Sequence, residues 1–283
     1  MNDNKMAEKS TIQKDVFLSG IGIHSGENVD LLLKPSSSGE ITLMRRDLKS
    51  VEIKIDPQKI KTKRGSFLDA EVGKILTLEH LLAVLYVFGI DSLVIELKGG
   101  EIPIMDGSAL PFARAIQEAG IEFIPHEKKT IKIIKPHTIQ ENDAYIAFYP
   151  DSVFKISYSI EFDHPAIGRQ ELSLPLSSED FVREIAPART FGFLKDVPHL
   201  RKAGLALGGS LENAVVLDDK TIISGPLRFS DEFVRHKILD LIGDLCLLGS
   251  PVFGHFKAHK AGHALHLKAI HFILNNPEFW TYN

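Results

Sequence analysis

The chain has 283 residues, of which 44% are hydrophobic and 25% are charged, and its mean hydropathy is close to zero. These values are typical of a globular protein and exclude a disordered or fibrous chain. The formal net charge of -4 lacks the basic excess that nucleic acid or an anionic membrane favours, so we expect a small-molecule partner and no nucleic acid.

The sequence also predicts where the protein works. Its most apolar stretch, residues 75–97, is interrupted by Glu79, His80 and Asp91, which argues against a transmembrane segment. The N-terminal charges are not followed by an apolar run, so we expect no secretory signal. The single cysteine excludes an internal disulfide and fits a reducing compartment. We therefore expect a cytoplasmic protein, and we take it to be a monomer.

The predicted elements begin with strands. The first 60 residues alternate short β-rich runs with turn residues, as half-buried antiparallel strands do. A helix is predicted over residues 79–88, with Thr77 as its N-cap and Gly89 at its end. The strand SLVIEL and a second helix that ends at Gly120 follow. Strands then resume with TIKII, YIAFY and FKISYSI.

The second half of the chain repeats the plan of the first. EHLLAVLYVFGIDSLVIEL followed by DGSALPFARAI resembles RHKILDLIGDLCLLG followed by AGHALHLKAI, so that His80 matches His236. We therefore predict two similar α+β domains, residues 1–127 and 128–283, and chance similarity between amphipathic helices is the alternative. If the two domains pack face to face, both histidines lie near a cleft, where sites usually form.

Residues 191–224 have no counterpart in the first half. They predict a helix over residues 194–203, a break at Gly208 and Gly209, and then an apolar strand. Two interpretations stay open. The segment either forms a lid or slot for an apolar chain, or it packs against the rest of the protein without binding a ligand. In a slot, the two glycines would let a chain approach the backbone closely.

A predicted helix over residues 231–249 carries His236, Asp240 and Asp244 at spacings of four, on one helix face. A single histidine and aspartate at this spacing are usually solvated on the helix surface. This helix is otherwise strongly apolar, so polar side chains that face the interior need a compensating partner. His80, His236 and Asp240 would give zinc three ligands and leave a fourth position open, as catalytic sites do. The sequence thus predicts a single-zinc hydrolase.

Two residues near these ligands are candidates for proton transfer. Glu79 is a candidate general base, and a favourable first-turn charge is the alternative. Among the four histidines of GHFKAHKAGHALHLKA, His263 follows a glycine at a loop-to-helix junction and is placed to project into the cleft. Paired with Asp244, a protonated His263 could stabilise an oxyanion or protonate a leaving amine. The other histidines of the run are expected to be surface or packing residues.

Three further side chains are weaker candidates. Thr190 could donate its hydroxyl to a carbonyl oxygen, Phe191 offers a stacking surface, and Lys237 could contact an anionic substrate. By themselves, all three are also ordinary strand or helix residues.

Eight segments in order resemble the UDP-3-O-acyl-N-acetylglucosamine deacetylases of lipid A synthesis: GIGIHSG, TLEH, EIPIMDGSALPF, DHPAI, ARTFGF, LGGS, LRFSDEFVRHKILDLIGD and KAGHAL. They span nearly the whole chain. The resemblance implies two β-α-α-β sandwich domains, each with an insert, and zinc-dependent removal of acetate from the glucosamine nitrogen of a UDP-acyl-sugar. The alternative is a relative that has lost catalysis and only binds metal or sugar nucleotide.

The resemblance further implies a role for each matching residue. The implied roles are zinc ligation by His80, His236 and Asp240, general base for Glu79, an oxyanion contact for Thr190, a charged histidine at His263 oriented by Asp244, a diphosphate contact for Lys237, and nucleotide or sugar contacts for Phe162 and Phe191. The insert, with Gly208 and Gly209, would line the acyl passage.

The resemblance also has limits. The implied metal is Zn²⁺, with Fe²⁺ as an alternative in the cell. Ala144 and Glu27 stand where lysines occur in relatives, so the nucleotide contacts at these positions depart from the family pattern.

Overall fold

The structure, a computed structural model, describes residues 8–48, 52–62, 65–70 and 73–283. Within these residues the α-helices are α1 (Glu79–Phe88), α2 (Leu110–Ala119), α3 (Ser178–Asp180), α4 (Val197–Lys202), α5 (Glu232–Leu245) and α6 (His263–Asn275). Short 3-10 turns cover Pro57–Lys59, Leu194–Asp196, Cys246–Leu248 and Pro277–Phe279, and a π-helical turn covers Phe181–Ile185. Among the described residues, no helix is long and apolar enough to cross a membrane.

The first half of the chain is built on a mixed five-stranded sheet. The strands of this half are β1 (Glu8–Ile12), β2 (Val16–Ile21), β3 (Asn28–Pro35), β4 (Ile41–Arg45), β5 (Glu52–Lys54), β6 (Ile60–Thr62), β7 (Ser66–Ala70), β8 (Gly73–Leu76), β9 (Leu93–Lys98) and β10 (Ile121–Glu127). The sheet order is β2-β3-β9-β4-β5, with β9 antiparallel to β3 and parallel to β4. Strand β1 pairs with β10, and β6, β7 and β8 form a small insert sheet. Among the β-rich runs of the first 60 residues, VEIKI begins at Val51, which lies outside the described residues.

The second half repeats this topology. Its strands are β11 (Ile131–Ile133), β12 (His137–Glu141), β13 (Ala144–Tyr149), β14 (Phe154–Phe162), β15 (Gly168–Pro175), β16 (Phe191–Phe193), β17 (Val215–Leu217), β18 (Val252–His259) and β19 (Trp280–Tyr282). Strand β18 is antiparallel to β13 and parallel to β14, as β9 is to β3 and β4. The path β12-β13-β18-β14-β15 therefore matches β2-β3-β9-β4-β5, and each central strand lies between two helices along the chain. The expected pair of similar α+β sandwich domains is confirmed.

Helices α1 and α5 pack directly against each other and join the two halves through one continuous apolar core. Leu81, Leu82 and Leu85 on α1 are at most 2% exposed, and burial of each such side chain contributes roughly 1.5–3 kcal/mol. The close approach depends on Gly243 of α5, where an added Cβ would lie 2.1 Å from the Glu79 carbonyl oxygen. A larger residue at this position would push the two helices apart.

The start of α1 differs from the prediction. The helix covers the expected residues and ends at Gly89, whose φ of 69° is left-handed, but its N-cap is Leu78 rather than Thr77. The Thr77 hydroxyl donates instead to Glu101 Oε1 at 2.7 Å. The predicted N-cap was therefore wrong, because a buried carboxylate from a distant segment takes the hydroxyl.

The other predicted helices are close to those observed. The helix α2 ends before Gly120, and the predicted helix over residues 231–249 comprises α5 and the 3-10 turn that follows it. In the insert, a 3-10 turn and α4 together occupy residues 194–202, and β16 and β17 form a parallel pair. Because β10 ends at Glu127 and β11 begins at Ile131, we keep residues 1–127 and 128–283 as the proposed domains.

Candidate metal centre and active site

Helices α1 and α5 bring three candidate metal ligands together. His80 lies in the first turn of α1, and His236 and Asp240 lie one turn apart on α5. All three are buried, and their ligand atoms lie within 4.8 Å of one another. The His80 and His236 rings meet edge to face with centroids 5.1 Å apart, and His236 Nε2 lies 3.3 Å from Asp240 Oδ1.

The protonation of this cluster suits a cation. Burial lowers the pKa of His80 to about 3 and also lowers the pKa of His236, so both rings are neutral and keep a lone pair. His236 Nδ1 lies 3.2 Å from the Ala188 carbonyl oxygen, to which it donates, and this leaves Nε2 for a metal. Among the described residues, His80 Nδ1 is the buried side-chain polar atom without a hydrogen-bond partner, as expected of a ring that awaits a ligand.

Asp240 completes a donor set that fits a divalent cation. Burial alone would raise its pKa, but the neighbouring His236 and Lys237 hold it well below the usual range, so the carboxylate is charged. Lys237 Nζ donates to Asp240 Oδ2. Two neutral imidazoles and one carboxylate are ligands that zinc and related metals accept at catalytic sites.

Glu79 lies beside this cluster and is only 6% exposed. Its Oε2 accepts a hydrogen bond from the Ser66 amide at 3.4 Å, and its Oε1 lies 3.8 Å from His263 Nε2. Burial raises the pKa of Glu79 to about 7. A carboxyl group that titrates near neutral pH suits a general base.

His263, at the start of α6, has the opposite character. Its Nδ1 lies 2.6 Å from Asp244 Oδ2. Burial by itself would lower the pKa of His263, but the Asp244 carboxylate outweighs burial and raises it to about 9. In return, His263 helps to hold the pKa of Asp244 at about 2, against the opposing effect of burial. The pair is thus an imidazolium held by a buried carboxylate, an arrangement that would suit the acid expected at His263.

Two histidines of the His-rich run, His263 and His266, form a further cluster with Asp244 of α5 that could hold a metal. The ligand atoms of this cluster are engaged in hydrogen bonds, because His263 Nδ1 and His266 Nδ1 lie 2.6 and 2.8 Å from the same Asp244 oxygen. The remaining two histidines of the run, His255 and His259, bond to serine hydroxyls of the neighbouring strand β14 at 2.8 Å. This geometry favours hydrogen bonding over a second metal.

A cavity of about 560 Å³ opens beside the candidate metal cluster. Its polar end is lined by Glu79, His80, Thr190, His236, Lys237, Asp240 and His263. Its apolar walls come mainly from the insert and its neighbours, namely Phe162, Phe191, Phe193, Leu194, Val197, Leu200, Leu211 and Val216. The cavity can therefore hold a ligand with a polar reactive group and an apolar chain.

The two predicted aromatic contacts form one wall of this cavity. The rings of Phe162 and Phe191 pack edge to face with centroids 5.7 Å apart, and Lys237 Nζ lies 6.0 Å from the Phe191 centroid. Ala144 and Glu27 are not among the residues that line the cavity.

The two predicted glycines differ in position. Gly209 lines the cavity, and an added Cβ would lie no closer than 3.6 Å to its neighbours. Gly208 does not line it, and a Cβ there would lie 2.3 Å from the Gly22 carbonyl oxygen. Gly208 therefore lets the insert pack closely against the GIGIHSG loop.

Several residues of the site were not predicted from the sequence. Glu101 is fully buried and accepts hydrogen bonds from the amides of His24 and Ser25 at 3.0 and 2.8 Å, so it fixes the loop that borders the cavity. It lies in EIPIMDGSALPF, a segment that carried the resemblance, and its charge directly before the apolar run IPIM was the available signal. Ser66 hydrogen-bonds to Glu79 and Asp244, and His266 hydrogen-bonds to Asp244. Nothing in the local sequence around Ser66 or His266 indicates these contacts.

Comparison with known proteins agrees with this geometry. The profile of the family described as UDP-3-O-acyl N-acetylglycosamine deacetylase matches residues 9–275. The chain belongs to this family. Proteins named UDP-3-O-acyl-N-acetylglucosamine deacetylase from Thermodesulfovibrio yellowstonii and Haemophilus influenzae are 46% and 43% identical, over 93% and 98% of this chain and 90% and 93% of their own. The protein of that name from Syntrophus aciditrophicus is 44% identical over 96% of this chain and 87% of its own.

Proposed function

We propose that this chain hydrolyses the N-acetyl group of UDP-3-O-acyl-N-acetylglucosamine, releasing acetate and UDP-3-O-acyl-glucosamine in lipid A biosynthesis. The observation that carries this proposal is a single cavity in which a His, His, Asp cluster and a base-acid pair adjoin an apolar passage. Relatives that cover nearly the whole chain are named for this activity. The substrate has both parts that the cavity would receive, an acetamide and an acyl chain.

We assign the metal to Zn²⁺, with Fe²⁺ as an alternative in the cell, held by His80, His236 and Asp240. When bound, the cation supplies Lewis-acid stabilisation of negative charge and lowers the pKa of water. The neutral imidazoles and the orphaned His80 nitrogen support this assignment.

The protein's own residues would carry the protons. Glu79 accepts the proton of the water whose oxygen attacks the acetyl carbonyl carbon, and the Thr190 hydroxyl donates to the carbonyl oxygen as negative charge develops there. His263 then donates its proton to the glucosamine nitrogen as the carbon–nitrogen bond breaks. Asp244 keeps His263 protonated for this step. The products are acetate and a free amine.

The rest of the cavity would hold the substrate. We propose that Lys237 contacts the diphosphate and that Phe162 and Phe191 contact the nucleotide or sugar. The insert, at Gly209, would line the acyl passage, where each buried methylene contributes about 0.8 kcal/mol. Such binding energy can place the acetamide for reaction.

We also propose that the protein works in the cytoplasm as a monomer. The lone cysteine supports a reducing compartment. The second candidate function is a sugar-nucleotide or metal-binding relative without catalysis. The presence of Glu79 and His263, with pKa values shifted in the directions that a base and an acid require, favours the enzyme.

An acetate-release assay on the UDP-acyl-sugar separates the two functions. We expect the purified, zinc-loaded protein to form acetate and free amine in equal amounts. Tight binding of the substrate without acetate release would support the inactive relative. Acetate release from other N-acetyl compounds at equal efficiency would overturn the proposed substrate.

A further inference from the structure

Asp244 accepts hydrogen bonds from three side chains behind the cavity wall. The Ser66 hydroxyl donates to Oδ1 at 2.6 Å. His263 Nδ1 and His266 Nδ1 lie 2.6 and 2.8 Å from Oδ2. Asp244 is 1% exposed and His266 is fully buried, so water does not compete for these bonds.

Two histidines share Oδ2 of Asp244. A carboxylate only accepts hydrogen bonds, so each imidazole donates from Nδ1. Burial lowers the pKa of His266. Its Nε2 lies 3.1 Å from the Tyr158 hydroxyl, on the side away from Asp244. His266 is thus a fully buried donor with a contact on each side of its ring, whereas His263 faces the cavity.

Ser66 connects the base to the acid. It belongs to β7 in the insert sheet of the first half, while Asp244 and His263 belong to the second. Its hydroxyl bonds to Asp244, and its amide donates to Glu79 Oε2 at 3.4 Å. Ser66 therefore contacts both the carboxylate of Glu79, which is the proposed base, and the carboxylate of Asp244, which holds the proposed acid His263.

We propose that Ser66 and His266 are positioning residues that fix the Asp244 carboxylate and, through it, the orientation from which His263 donates its proton. This inference rests on the proposed deacetylase function. With both oxygens of Asp244 held, the carboxylate cannot turn about its terminal bond, and His263 keeps Nε2 aimed at the cavity. A displacement of about 1 Å in a reacting group can cost about 100-fold in rate.

The test compares two substitutions of His266. His266→Leu fills a similar volume but removes the donor, and we expect kcat to fall about 10- to 100-fold while KM and metal content stay unchanged. His266→Asn keeps an N–H near the position of Nδ1 and should recover most of this loss. Ser66→Ala and Ser66→Thr form a second pair, since threonine keeps the hydroxyl. His271→Leu on the same helix removes a hydrogen bond to the Pro57 carbonyl oxygen and serves as the control with unchanged kcat.

A second readout does not depend on turnover. The Nδ1–H proton of His263 should give a low-field NMR resonance that shifts or broadens in His266→Leu and is retained in His266→Asn and His271→Leu. Unchanged kcat and an unchanged resonance in His266→Leu would overturn the inference. So would equal losses in the Leu and Asn variants, or a loss that merely follows a lower Tm. If the wild type releases no acetate, the proposed function fails and the resonance alone decides the inference.

Discussion

His263 Nε2 lies 3.8 Å from Glu79 Oε1, across the contact between the second half of the chain and the first. Burial raises the pKa of Glu79 to about 7, and Asp244 outweighs burial to raise the pKa of His263 to about 9. At a pH between these two pKa values, the carboxylate of Glu79 faces the imidazolium of His263. Amide hydrolysis needs a deprotonated base and a protonated acid at the same site, and this pair provides both.

This pair predicts a bell-shaped dependence of kcat/KM on pH. The acid limb follows protonation of Glu79, and the alkaline limb follows deprotonation of His263. A bound divalent cation favours the carboxylate and disfavours the imidazolium, so both limbs should lie below the values for the metal-free site. Asp244→Asn should move the alkaline limb to lower pH, because burial alone lowers the pKa of His263. An alkaline limb that does not move would belong to another group.

Removal of the carboxylate at Glu79 should separate catalysis from metal binding. Glu79→Gln keeps the size of the side chain but cannot accept the water proton, so turnover should fall by about 10² to 10⁴ at full metal content. Glu122→Gln, on the exposed strand β10, is the matched control and should keep wild-type turnover. Steady-state kinetics with metal analysis makes the comparison, and a loss below tenfold would reduce Glu79 to a favourable helix charge.

The segment that carries Thr190 is held by a buried ion pair. Glu232, fully buried at the start of α5, accepts from Arg189 Nε at 2.8 Å and from the Arg189 amide at 3.0 Å. Glu232→Ala leaves the guanidinium buried and unpaired, so the free energy of unfolding should fall by about 3–5 kcal/mol. Glu40→Ala, which breaks an exposed pair, should change it little. Urea denaturation checks both variants, and equal small effects would contradict the assignment.

The pH dependence of stability provides a second check on Glu232. Burial alone would raise its pKa, but the hydrogen bonds from Arg189 outweigh burial and lower it. The pair's contribution is therefore fully present above the ordinary carboxyl pKa of about 4.3 and is lost as the pH falls through the lower folded-state value. The difference in unfolding free energy between wild type and Glu232→Ala should shrink over that acidic range.

A substitution at Gly209 tests whether the insert lines the passage for the acyl chain. A leucine at this position has room at its Cβ and would extend into the cavity, so Gly209→Leu should abolish the preference for long acyl chains over short ones. Each methylene excluded from the passage forfeits about 0.8 kcal/mol of burial. Turnover of a short-chain substrate and metal content should stay near wild type. The same chain-length dependence in both proteins would place the acyl chain elsewhere.

Much of the fold and the metal cluster could be predicted from the sequence. Helix α1 carries a compact apolar run and ends at Gly89, which supplies the left-handed residue that a helix end favours. The match between His80 and His236 followed from the internal repeat, and the repeated strand order places both helices at equivalent positions. Helix periodicity, local backbone preference and the internal repeat were together sufficient for these features.

Contacts between distant segments could not be predicted. Ser66 and Asp244 are 178 residues apart, and their hydrogen bond exists only because the insert sheet of the first half reaches the second. The predicted N-cap at Thr77 was wrong for the same reason. Its hydroxyl donates to the carboxylate of Glu101, which lies 24 residues further along the chain, and not to the amides at the start of α1. Local sequence gives the preference of a hydroxyl but not the acceptor that the tertiary structure brings to it.

Metal content and acetate release, measured on the same preparation, test the proposed metal-dependent deacetylase most directly. We expect the purified chain to hold about one divalent ion, to lose acetate release from the UDP-acyl-sugar when a chelator removes the ion, and to recover it when zinc is restored. His236→Ala should lose both metal and activity, whereas His259→Ala, whose ring bonds to Ser159 in the sheet, should keep both. Full acetate release by the wild type or by His236→Ala without a stoichiometric metal ion would contradict metal-dependent deacetylation at this site.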